Sequence, residues 1–323
     1  MTAAATAAIL AALLSCGCKG TEPPPHFFGD TGGDGDTDTA EHDTDVEADC
    51  DALPDPGLSY SIINGIKATE DLAFDDEGFL VGASSNSLFK SSYDGDFEIF
   101  MAGADGFIAG LRALPCGDIV YSNQSEIYRV DKDTGHKTMV AGGLQYSNGI
   151  EIGLDGMIYT AEQNGGTVTR IDPDTGEREY VAQALNNPNG LSFSPDYRTL
   201  YVGSFGAGTI WKIEFDGAGE AGEVSVFTYN VGTGALDGMG VDACGNIYVC
   251  DYGQIHIFRI SPDDPDDHVD LVDLGADSSW IPNFQWGSGI GGWKEDHIYV
   301  LDMGAERAYE VPVGVPGKYR PYP

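Results

Sequence analysis

From Leu58 onward, apolar and polar residues alternate in short runs, each broken by Gly, Pro, Asp or Asn. Alternation puts one side of a run against a core and the other toward solvent, so the pattern predicts β-strands joined by tight turns. Helix-length apolar patterns are missing beyond the first 20 residues. The runs also repeat. "FLVGAS", "DIVYSN", "MIYTAE", "TLYVGS", "NIYVCD" and "HIYVLD" each follow a turn, as in "DDEG", "LPCGD", "GLDG", "SPDYRT" and "DACGN", with the longer "SGIGGWKEDH" in the sixth case. A third run follows in register: Leu88-Phe89-Lys90, Ile127-Tyr128-Arg129, Val168-Thr169-Arg170, Ile210-Trp211-Lys212, Ile257-Phe258-Arg259 and Ala308-Tyr309-Glu310. A period of about 40 to 48 residues, four strands each, six times over, predicts an all-β six-bladed propeller. The last repeat lacks a fourth strand, so "LSYSIING", which precedes the first repeat, is expected to complete the last blade and remove the open edge.

The first strand of each propeller blade lines the central channel. Aligned by repeat, those strands start at Glu70, Ala109, Asn148, Asn189, Asp237 and Asn283. Five of the six carry a side-chain oxygen. Asn-Gly and Asp-Gly often mark hairpin turns, but here the hairpin turn comes several residues later. Two carboxylates facing one axis, Glu70 and Asp237, would repel unless a cation lay between them. With amide oxygens from Asn148 and Asn189, and Asn283 nearby, they form a hard, all-oxygen set suited to Ca2+, with Mg2+, Mn2+ or Zn2+ as alternatives. A polar ring that merely holds water is the structural alternative.

The chain has 323 residues and a formal net charge of -36. Such a field repels nucleic acid and anionic lipid, which sets nucleic-acid binding aside. The opening "MTAAATAAILAALLSCGCKG" is too short to span a bilayer and has the apolar core of a secretory signal. Leu13-Leu14-Ser15-Cys16 resembles a bacterial lipobox, making Cys16 the candidate lipidation site. The expected location is the periplasmic side or the cell surface, with the membrane engaged through the anchor alone and the chain a monomer. Between Gly20 and Ile66 there is no Lys or Arg, and Asp, Gly and Thr dominate, as in a disordered, self-repelling spacer that contributes nothing to folding. The organisation read from sequence is therefore a signal and lipobox at 1–16, a disordered acidic linker at 17–56, and the propeller at 57–323. An exported chain permits disulfides, and five cysteines beyond Cys16 leave at least one unpaired or bridging outward. Cys244 and Cys250 bracket an extended strand and stand too far apart to bridge each other.

"PNGLSFSPDYRTLYVGSFGAGTIWKIEFD" and "LDGMGVDACGNIYVCD" resemble the gluconolactonase/regucalcin (senescence marker protein) family of six-bladed propellers, and "TEDLAFD" is similar to its opening segment. The resemblance implies a divalent metal on Glu70, Asn189 and Asp237 with Asn148 nearby, and hydrolysis of a lactone or related ester. Asp237 is the candidate catalytic base. Where that family carries Arg two residues before the Asn of the third repeat and Asp just after it, this chain has Tyr146 and Gly149, which points to a substrate less polar than a sugar lactone. Tyr146 and Gln285 are the candidate substrate-binding residues; the Asn283–Gln285 pair is similar to the broader calcium-lactonase propellers. The competing reading is a non-catalytic surface propeller that binds a ligand or protein and keeps a structural metal.

Overall fold

The computed structural model describes residues 48–68 and 70–320. The apolar opening and Cys16 lie outside the described residues. Among those described, no helix is long and apolar enough to cross a membrane.

Six antiparallel blades surround a channel. Blade one is built from Leu72–Phe74, Leu80–Ser84, Ser87–Ser91 and Phe97–Ala102; blade four from Pro188–Phe193, Thr199–Ser204, Ile210–Phe215 and Ala221–Thr228; blade five from Leu236–Val241, Ile247–Asp251, His256–Ile260 and His268–Asp273. All six third-strand triplets named above fall in third strands. Blades two and three depart from the expected separation. Lys137–Ile152 runs as one strand, serving first as the outer strand of blade two and then as the inner strand of blade three. The two blades thus share one seven-stranded sheet.

Ser61–Asn64 pairs antiparallel with Arg307–Pro312 and completes blade six, with Ser61 opposite Glu310 and Ile62 opposite Tyr309. A rivet of aromatic rings locks blade one to blade six. Trp293 lies 5.1 Å from Phe74 and 4.8 Å from Tyr299, centroid to centroid. The Trp293 indole N–H donates to the Gly78 carbonyl at 2.9 Å, so the large ring is buried without an unpaired polar atom.

Burial falls outward along each blade. Pro188–Phe193 and Leu236–Val241 are buried throughout, while Phe97–Ala102 is largely exposed. That gradient explains why the inner strands carry Asn, Ser and Asp yet lie inside: their polar side chains face the channel.

The ring is tight because its glycines touch the next blade. A Cβ on Gly149 would sit 2.4 Å from the Asn189 carbonyl oxygen, and one on Gly190 would sit 2.0 Å from that of Asp237. Only glycine permits that approach. The Gly after Asn148 and after Asn189 is therefore a spacer between neighbouring ring residues.

Two ties fall outside the sequence expectations. Cys50 is bonded to Cys244 across 194 residues. Beside it, Arg259 donates to the Pro54 carbonyl at 3.1 Å and the Gly57 N–H to that of Leu271 at 2.9 Å. The stretch around Cys50, read from sequence as part of a free linker, is instead fastened to blade five. Cys116 is also in a disulfide, whereas Cys250 is free and buried. The second tie is the C-terminal segment, which turns back into the channel. Trp286 donates to the Val315 carbonyl at 2.9 Å, Gly317 bridges to Asp242, and the Lys318 N–H reaches the Val241 carbonyl at 2.9 Å.

Candidate functional site

The six strand starts meet at one mouth of the channel. Glu70, Asn148, Asn189, Asp237 and Asn283 are all buried, none more than 8 % exposed. Glu70 and Asp237 feel each other's charge. Burial raises the Glu70 carboxyl well above the usual range, with Asp237 and Asp71 adding to the rise. Burial pushes Asp237 up to about 8 despite a hydrogen bond from Asn189. Glu70 Oε2 is fully buried and has no hydrogen-bond partner. An unpaired buried carboxylate oxygen beside a second carboxylate is costly in a cation-free protein and suited to a cation.

The amides divide by role. The Asn148 amide nitrogen donates to Gln163 Oε1 at 3.4 Å, a contact that leaves its oxygen unspent. Asn283 Oδ1 accepts from the Phe284 N–H at 2.9 Å, so this residue flanks the carboxylates with its oxygen already engaged. Among the described residues no three or more of His, Cys, Asp and Glu are placed to hold a metal. The residues that could do so here are two carboxylates completed by amide oxygens, a donor set that fits calcium better than zinc.

Below the ring lies a layer of buried charge that sequence reading missed. Arg112 Nη1 contacts both oxygens of Asp71 at 2.8 Å, and the Leu72 and Leu111 N–H groups donate to the same carboxylate, each at 2.8 Å. Lys318 Nζ lies 2.8 Å from Glu151 Oε2 and 2.9 Å from Ser192 Oγ. Burial works against an ionised Glu151, yet the Lys318 and Arg112 charges hold its carboxyl below the usual range. Gln285 belongs to this layer. Its amide lies between two guanidiniums: in one orientation its oxygen accepts from Arg112 at 2.9–3.3 Å, in the other from Arg320 at 3.3 Å. Its amide oxygen is therefore engaged by arginines beside the C-terminal segment.

Tyr146 does sit at the mouth, directly before Ser147 and Asn148. Its φ is +63°, a left-handed conformation that costs a β-carbon residue about 1–3 kcal/mol and is retained where the surroundings enforce it. Its carbonyl accepts from the Gln163 N–H at 2.9 Å. The Tyr252 N–H donates to the Ala235 carbonyl at 2.9 Å, two residues before Asp237, and its hydroxyl is raised by burial and by the charges of Glu70 and Asp237. Three strand-end acids are structural instead. Glu162 accepts from Thr169 and the Gln145 N–H, Asp251 from Thr233 and its own turn, and Asp302 from Arg307 and Tyr309.

Residues 156–288 match the family model described as SMP-30/Gluconolactonase/LRE-like region. That segment of the chain is similar to this family. Solved structures agree on the fold. A gluconolactonase from Xanthomonas campestris superposes with a TM-score of 0.66 at 18 % identity, covering 83 % of this chain and 96 % of that one. The calcium-binding protein regucalcin from Agrobacterium tumefaciens gives 0.66 at 16 %, covering 82 % and 96 %. An auxiliary nutrient binding protein from Bacteroides ovatus gives 0.61 at 12 %, covering 80 % and 75 %. No curated protein matches by sequence. The gluconolactonase-like match includes Asn189, Asp237 and Asn283 but begins after Glu70 and Asn148, which the propeller geometry brings to the same mouth.

Proposed function

We propose that this propeller is a divalent-cation-dependent hydrolase acting on a lactone or related ester at the channel mouth. The observation that carries the reading is the buried, unpartnered Glu70 Oε2 beside Asp237. Glu70, Asn148, Asn189 and Asp237 would hold the cation, with Asn283 flanking them. A bound calcium ion supplies positive charge that polarises an ester carbonyl. In this reading Asp237 takes a proton from water as the water oxygen bonds to the carbonyl carbon. When the ring C–O bond breaks, the same carboxyl returns the proton to the leaving alkoxide. The buried ring excludes bulk water from that exchange. The gluconolactonase and regucalcin neighbours support the substrate class and the cation. The test is a lactone and ester panel assayed in calcium and after chelation. Turnover that vanishes on chelation and returns with calcium is the expected result; tight calcium binding with no turnover of any member would overturn it.

The alternative, a surface propeller that binds without catalysis, draws support from the nutrient-binding neighbour and from the exposed Trp280 side chain. For location, we propose lipid attachment at Cys16, with export to the periplasmic side or cell surface. The expected outcome is that Cys16→Ser moves the protein from the membrane fraction to the soluble one, and equal fractionation of both forms would refute it.

A further inference from the structure

One side of the mouth is paved with apolar rings. Tyr252 is fixed at this mouth by its N–H, which donates to the Ala235 carbonyl at 2.9 Å, two residues before Asp237, and Phe205 bridges to the same Ala235. Phe205 of blade four packs on Tyr252 with ring centroids 6.0 Å apart, and Met303 of blade six meets the Tyr252 hydroxyl through Sδ at 3.8 Å. The Met303 N–H donates to the Trp280 carbonyl at 3.1 Å, which sets Trp280 on the loop leading into blade six, beside Met303. The Trp280 side chain is 47 % exposed, a large apolar surface left in water. Four residues from loops of three blades thus form one arc: Phe205, Tyr252, Met303 and Trp280. The cations held at the turn that follows Met303 are occupied. Lys67 pairs with Glu306, and Arg307 is held by Asp302 and the Asp277 carbonyl. The surface beside the carboxylate ring therefore offers aromatic faces and a thioether, while its carboxylates repel anions.

Resting on the hydrolase reading of this same mouth, we infer that the arc formed by Phe205, Tyr252, Met303 and Trp280 selects an uncharged substrate with an aromatic ring fused to, or carried by, the lactone or ester. A flat ring gains stacking and sulfur–aromatic contact against these side chains, whereas a polyhydroxylated sugar ring would lose hydrogen bonds to water without replacement. Trp280 and Tyr252 are specificity residues: they grip the ring and leave the carbonyl to the strand starts.

Two measurements on the mature chain loaded with calcium separate this inference from the reading it rests on. The first compares dihydrocoumarin, an aromatic lactone, with glucono-1,5-lactone. The aromatic substrate is expected to have at least a tenfold higher kcat/KM. Trp280→Ala and Tyr252→Ala should each raise its KM at least fivefold, with kcat and calcium affinity little changed. The second uses 3,4-dihydroquinolin-2-one, a lactam that resists hydrolysis, followed by calorimetry and by Trp fluorescence. It should bind, and Trp280→Ala should weaken binding at least fivefold. If the lactam binds through Trp280 while no ester is cleaved, the hydrolase reading fails and the aromatic site stands. A preference for the sugar lactone, or a lactam that does not bind, overturns the inference. So does a concentration-dependent dimer that Trp280→Ala abolishes, since the arc would then be a contact between two copies of the chain.

Discussion

Lys318 and Glu151 form an ion pair at 2.8 Å inside the channel, with only 6 % and 4 % of their side chains exposed. They come from opposite parts of the chain: Glu151 from the inner strand of blade three, Lys318 from the C-terminal segment. Burial lowers the Lys318 ammonium even against the attraction of Glu151, so each charge is tolerated only because the other is there. Lys318→Met should therefore destabilise the protein by about 3–5 kcal/mol, because it takes the ion-pair partner away from a buried carboxylate. Adding Glu151→Gln to that variant should recover a large part of the loss. Urea unfolding of both variants tests this, and strictly additive losses would show that the pair is not coupled.

The carboxylate ring sets a pH dependence with a defined sign. An acid whose folded-state pKa is raised holds its proton more tightly in the folded chain. Its stabilising contribution is full below the unfolded value, about 4 for Asp and Glu, and is lost as pH climbs through the folded value. Asp237 is pushed up to about 8, and Glu70 is raised as well. In chelator the melting temperature should fall as pH rises from about 5 to 8. Calcium should restore it, most strongly at the upper end, because only the ionised pair holds the cation well. Equal calcium stabilisation at both pH values would refute this assignment of the site.

Glu70 and Asp237 should separate when mutated. Glu70→Ala removes the unpartnered oxygen and should weaken calcium binding most. Asp237→Asn keeps an oxygen in place but cannot accept a proton; it should abolish turnover while retaining more of the calcium affinity. Calorimetry paired with single-turnover kinetics distinguishes the two. The same ranking in both measurements would indicate that Asp237 acts only as a ligand.

The Cys50–Cys244 bond closes a loop of 194 residues. In the chain-entropy account a loop of that size is worth up to ~5 kcal/mol. Cys50→Ser, or a chain beginning at Asp55, should lose several degrees of melting temperature under non-reducing conditions, and reductant should remove the same increment from the parent. Unchanged melting would show that the N-terminal tie is energetically idle.

The propeller was legible because its repeats are local. Each blade carries its own turn, and in five of the six the first strand begins with Asn, Asp or Glu, so the ring could be found by alignment within the chain. Asn283 and Gln285 show the limit: both lie at the start of blade six, but whether an amide oxygen is free depends on what approaches from elsewhere. The Arg112 and Arg320 guanidiniums that engage Gln285 come from blade two and the C-terminal segment. Lys318 could not be assigned to the channel from "GKYRPYP", because nothing local to that segment specifies where it turns. Cys50 was placed in a spacer for the same reason, its partner lying most of a domain away. The aromatic arc was equally hidden, since Phe205, Tyr252, Trp280 and Met303 belong to loops of three different blades and share no spacing.

Blade six is sewn from two distant stretches, with Ser61 bonded to Glu310 across 249 intervening steps of chain. Its outer strand is made first and must wait, unpaired, until the rest of the blade exists. Until then the growing chain presents two raw sheet edges, each a template for another strand. Cleavage anywhere ahead of Arg307 would restore those edges in the finished molecule. A protease that strips Arg307–Pro312 from the C-terminal side would therefore convert a closed ring into an aggregation-prone open fan, even with the candidate cation ligands still covalently intact.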